Sequence, residues 1–111
     1  MKTAAEMKAR FAQQTADYNL IRDRAVEKLS KEWARVLGER IDVAFKGSYP
    51  ATFVSVTANL FESPPAGQDR EEIELLAADI VIMHFMNLGF NAYRHLIGST
   101  PNQRVEVTWG E

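Results

Sequence analysis

Two histidines, His84 and His95, are the chain's imidazoles available for general acid or base chemistry near neutral pH, and no cysteine is present to act as a thiolate nucleophile or soft metal ligand. His84 lies inside the apolar stretch LLAADIVIMHFMNLGF, residues 75–90. An isolated imidazole in a dry pocket would suit a general base or a ligand contact. The plainer expectation is a core histidine bonded to a backbone or side-chain acceptor, because buried polar groups find partners. Asp79 is five residues before His84, about 140° round an ideal helix, so the two form no same-face dyad. Glu71, Glu72 and Glu74 open a helix, where the dipole favours acidic groups, and are read as a solvated helix start rather than a calcium or magnesium site. Ser99 and Thr100 fall in a turn with no suitably placed acid or base. No P-loop, nucleophile elbow or zinc pattern occurs, so neither metal nor cofactor is expected.

Tyr93, Arg94 and His95, with Arg104 in a partner strand and Arg40 and Lys46 earlier in the chain, are a different kind of set. Gathered on one sheet edge or face they would bind an anion, the Arg forks taking phosphate or carboxylate and the ring stacking on a nucleotide-like ligand or RNA. The competing explanation is an ordinary solvated sheet face. Phe53 and Phe61 point opposite to Val54, Val56 and Leu60 on a regular strand, which makes them a partner surface unless a bulge or a crossing helix covers them.

These residues must be positioned by elements that the apolar spacing foretells. From Thr3 to Leu37 there is no proline or glycine, and Met7, Phe11, Tyr18, Ile21, Ala25, Leu29, Trp33 and Val36 recur at helical spacing. Gly38 is the expected stop, and Asp17 could cap a second segment if the helix breaks there. Unbroken, it would be a rod of roughly 50 Å, longer than the ~30 Å of a small domain. Its first part, about 1–17, would project with Phe11 and Tyr18 as an interaction surface for oligomerisation.

RIDVAFK alternates with period two and predicts a strand at about 40–46, joined by a turn at Gly47 to Pro50 to a second strand in ATFVSVTANLFE. ESPPAGQDR is a loop. Asp69 and Glu72 have capping-box spacing and start a second helix that Gly89 ends. FNAYRHL, the loop IGSTPNQ and RVEVTW form another hairpin, with Val105, Val107 and Trp109 on one face. The expected fold is therefore α+β: helix, hairpin, helix, hairpin, with a four-stranded antiparallel sheet, in a single domain over residues 1–111. The 75–90 helix should be covered twice, by the sheet and by the long first helix of this chain or of a neighbouring one.

Composition restricts the functions. Apolar residues at 46% and charged residues at 25% are ordinary globular usage. A net charge of -2 disfavours an extended polybasic surface. The absence of cysteine suits a reducing, cytoplasmic location, and no signal-like or membrane-spanning segment is read.

The closing pattern, LGFNAY followed by a turn and RVEVTWGE, resembles the C-terminal ends of small bacteriophage-encoded accessory proteins over roughly the last forty residues, through Gly89, Phe90, Val105, Val107 and Trp109. The resemblance implies an origin and transfers no functional residue. The leading expectation is a non-catalytic, homo-oligomeric binding protein acting on a host protein or an anionic small ligand. The alternatives are a nucleic-acid-associated regulator using Arg94, His95 and Arg104, and a small enzyme using His84 or His95.

Overall fold

A computed structural model describes residues 1–48, 50–96 and 103–109; Ser99 and Thr100, with most of the IGSTPNQ loop, lie outside them. The first helix, α1 (Ala4–Lys46), begins at Thr3, whose backbone is extended and whose Oγ1 accepts the Glu6 amide at 3.2 Å. It then runs for 43 residues without a break. At Asp17 the carboxylate accepts from Gln13 Nε2 at 2.9 Å, one turn back along the same helix, instead of capping a new one.

Gly38 does not stop α1, and 40–46 is helix rather than strand. The reason is tertiary. Trp33 and Leu37 are fully buried, and Ile41 and Ala44 continue their side of the helix at spacings of four and three, half-buried. Val43 and Phe45, which supplied the apparent period of two, are exposed. The Arg35–Glu39 ion pair at 2.7 Å spans Gly38, and Arg40 donates to the Ser55 carbonyl, tying this end of α1 to the sheet.

That extension removes a strand. The sheet has three strands, β1 (Phe53–Thr57), β2 (Asn91–Leu96) and β3 (Gln103–Thr108), in the antiparallel order β1-β3-β2. The expected first hairpin and four-stranded sheet are not formed. β1, left without a neighbour in sequence, pairs with β3 from Phe53 opposite Thr108 to Thr57 opposite Arg104. The second hairpin forms as expected, with Ala92 opposite Val107 and His95 opposite Arg104. The fold remains α+β, with both helices on one face of the sheet.

The second helix, α2 (Arg70–Asn87), is capped by Asp69, whose carboxylate accepts the Glu71 and Glu72 amides. At its other end Gly89 has φ 93°, its amide reaches the Met86 carbonyl at 3.0 Å, and the Phe90 amide reaches the Phe85 carbonyl at 3.1 Å. These two bonds are a Schellman closure. Ile73, Ala77, Ala78, Val81 and Phe85 of α2 meet Val26, Trp33 and Leu37 of α1 and Val56, Val105 and Val107 of the sheet. Trp33 Nε1 donates to the Val56 carbonyl at 3.1 Å, so the largest core side chain leaves no polar atom unpaired.

Coverage of α2 is incomplete. The sheet and α1 take two sides, but Leu76, Ile80 and Met83 stay exposed on the third. His84 is exposed too, its ring edge-on to Phe85 with centroids 5.0 Å apart, so the core-histidine expectation is overturned. At the last turn of α2 neither α1 nor the sheet covers that side. Among the described residues no helix is long and apolar enough to cross a membrane.

Opposite outcomes are expected at two glycines. Gly38→Ala should stabilise the protein by up to about 1 kcal/mol, since the site is mid-helix with nothing within 4 Å of the new Cβ. Gly89→Ala should destabilise by about 1 kcal/mol, because its φ is left-handed. Urea unfolding distinguishes them; a loss at Gly38 would mean that α1 ends there.

Candidate functional site

A cleft of about 440 Å³ with a largely apolar lining lies between the middle of α1, the chain leaving β1 and the start of α2. Its walls carry Ile21, Ala25, Leu29, Ala58, Phe61, Pro64, Pro65 and Ile73; Arg24, Lys28, Glu32, Glu62, Arg70 and Glu74 stand among and around them. Local sequence builds each wall. After Thr57 the chain makes a 3-10 turn, Ala58–Leu60, closed by the Phe61 amide on the Ala58 carbonyl at 3.1 Å. The turn rotates Phe61 out of the strand's alternation and against Trp33, ring centroids 6.2 Å apart. Phe61 is therefore cleft wall and core, not outer-face surface. Pro64 and Pro65 keep the following loop out of regular structure, and the Gln68 side-chain amide fastens that loop to the Tyr18 carbonyl of α1 at 3.2 Å.

Glu74 is the cleft's buried charge, 3% exposed. It accepts from Arg70 Nε at 2.9 Å and from the Gln103 amide at 3.2 Å, joining the first turns of α2 to the start of β3. It is thus a structural acceptor, not the solvated helix-start residue its neighbours suggested. Glu72 likewise meets Arg22 Nη1 at 3.1 Å. The hydrogen bond to Asp23, and after it that to Glu72, outweighs partial desolvation and holds the Arg22 guanidinium above its ordinary value. Lys28 and Glu62, 3.3 Å apart across the cleft mouth, are exposed and contribute little to stability.

The cleft continues along α1. Met7 and Phe11, 58% and 69% exposed, begin an apolar stripe that passes through Tyr18 and Ile21 to Ala25 and Leu29 in the cleft wall. Residues 4–17 of α1 are exposed throughout, so this part of the helix is an arm that touches no core. The molecule is 71 Å long and 29 Å across its next axis because of it.

The residues expected to form an anion site are divided by the sheet. Tyr93, His95 and Arg104 share the face turned away from the helices, with His95 directly opposite Arg104. Arg94 is on the helix side, where Nη1 lies 3.0 Å from Asp79 Oδ1. Arg40 and Lys46 belong to α1. Glu106 stands opposite Tyr93, and its Oε2 is 3.7 Å from His95 Nε2, so an anion crossing this face meets a carboxylate in the middle. His95 Nε2 and Arg104 Nε have no hydrogen-bond partner among the described residues. Phe53 is half-exposed at the far end of the same face, opposite Thr108. Neither Phe53 nor the Tyr93 group touches the cleft.

Sequence reasoning did not find the cleft, whose walls come from three separated segments. One signal was present: Ala25 is the single small residue in a stripe of otherwise large ones. The chain matches no family model, and no curated protein or solved structure is significantly similar to it.

Replacing Glu74 separates its two bonds from its charge. Glu74→Ala should cost about 1–3 kcal/mol, chiefly through the buried Gln103 amide left without an acceptor. Glu74→Gln keeps an acceptor oxygen and should cost less than half as much. Equal losses in denaturant unfolding would show that the charge, not the acceptor, matters.

Proposed function

We propose that the protein is a non-catalytic interaction protein that works as a homo-oligomer through α1, a phage or bacterial accessory factor whose target is another protein. The carrying observation is the arm: residues 4–17 are helix, with Met7 and Phe11 in an apolar stripe and no core beneath them. The arm extends a helix already seated on the core, and packing its stripe against another copy would cover the apolar groups that the body leaves exposed. The exposed Leu76, Ile80 and Met83 of α2 are the surface for the target, where the flexible thioether adapts to a partner's shape.

Catalysis is less well supported. His84 is exposed, and His95 Nε2 faces the Glu106 carboxylate on the sheet face away from the cleft, so neither imidazole lies in a pocket that could hold a substrate. The nucleic-acid reading loses ground because Arg94 is diverted to Asp79 and Glu106 balances the remaining cations.

Sedimentation at micromolar concentration should give a dimer or larger species. Phe11→Asp should weaken it by at least about 100-fold, since one aromatic side chain per copy loses its burial, while leaving the urea midpoint unchanged at concentrations dilute enough that both proteins are monomers. A wild-type monomer across this range would refute the proposal.

A further inference from the structure

We propose that the occupant of the α1–α2 cleft is the arm of a second copy, in a two-fold antiparallel pairing of α1 centred near Tyr18; this rests on the self-association proposed above. Three features favour a second copy of this chain. The stripe is self-complementary: about an axis at Tyr18, Phe11 falls opposite Ala25 and Met7 opposite Leu29, so the largest exposed apolar group of the arm meets the one alanine that α1 contributes to the cleft wall. The lengths agree, because the arm spans about 21 Å and residues 21–32 of α1 span about 17 Å. A cleft of about 440 Å³ is of the size that encloses a bulky apolar group.

The area also suits a dimer. A seam running over residues 4–32 of both helices is about 40 Å long and about 10 Å wide, and burying it on both copies removes on the order of 1,000 Å² from water, near the lower bound of a stable interface. A parallel pairing would place the two bodies side by side at one end, stack Met7 on Met7, and leave each cleft unfilled. The antiparallel one puts each arm on the other's body, so each copy supplies the Phe11 that completes its partner's cleft. It also sets the positive end of the arm helix beside Glu32.

The absence of native cysteine makes the test clean, because every thiol is an introduced one. A double variant with Met7→Cys and Lys28→Cys carries thiols about 30 Å apart along one rigid helix, beyond intrachain linkage. Both positions are exposed, so folding is not at stake. With a short bismaleimide the double variant should convert mainly to a dimer in which position 7 of each copy is linked to position 28 of the other, identified by peptide mapping, and Met7→Cys alone should stay unlinked. Native mass spectrometry of the unaltered chain is read beside it. A dimer mass with linkage between the two copies of position 7, or with no linkage in either variant, overturns the arm-in-cleft arrangement while self-association stands. A monomer mass overturns both.

Discussion

The structure depends on one mismatch of length. At 1.5 Å per residue, α1 is about 65 Å long, while the body it packs on consists of one shorter helix and three short strands. The second half of α1 finds cover there, through Val26, Ser30, Trp33 and Leu37 with Ile41 beyond them. Trp33 fixes that seat: its ring is wholly buried and its indole N–H is held by the Val56 carbonyl, so α1 cannot slide along the sheet without stranding a buried donor. With the seat fixed, the length on either side is decided, and the arm before Tyr18 has to lie outside the body.

The same seat explains the sheet. Because α1 keeps its helical form through Lys46, with Ile41 held against the core, β1 has no strand before it and crosses to β3. β3 then becomes central, and its inward Gln103, Val105 and Val107 are all buried. Glu74 closes this arrangement from the helix side by accepting the Gln103 amide. The cleft lies where the 3-10 turn and the two prolines carry the chain between α1 and the start of α2, and apolar residues of all three segments wall it.

Whether an element can be read from the sequence depends on whether its signal is local. Asp69 as a cap and Gly89 as a stop are readable because each acts within one turn of its own position. The second hairpin is readable because its strands are neighbours in the chain. RIDVAFK is not, because over seven residues an alternating pattern and a helical one share positions such as Ile41, and only the packing of Leu37 and Ile41 on the core decides between them. The β1 to β3 pairing joins residues some fifty positions apart and leaves no local trace. The arm follows from length alone, whereas the cleft requires knowing that Phe61 leaves the strand's alternation at a turn that the sequence ANL does not announce.

If packing against another copy orders the arm, and not its own helical preference, then its protection from exchange must depend on concentration. Residue-resolved amide hydrogen exchange at two protein concentrations reads this without any substitution. The amides of residues 8–17 should be strongly protected at high concentration and lose protection on dilution, while those of β3 keep theirs at both. Arm amides that exchange freely at every concentration, or that are protected to the same degree after extensive dilution to a monomer, would contradict it.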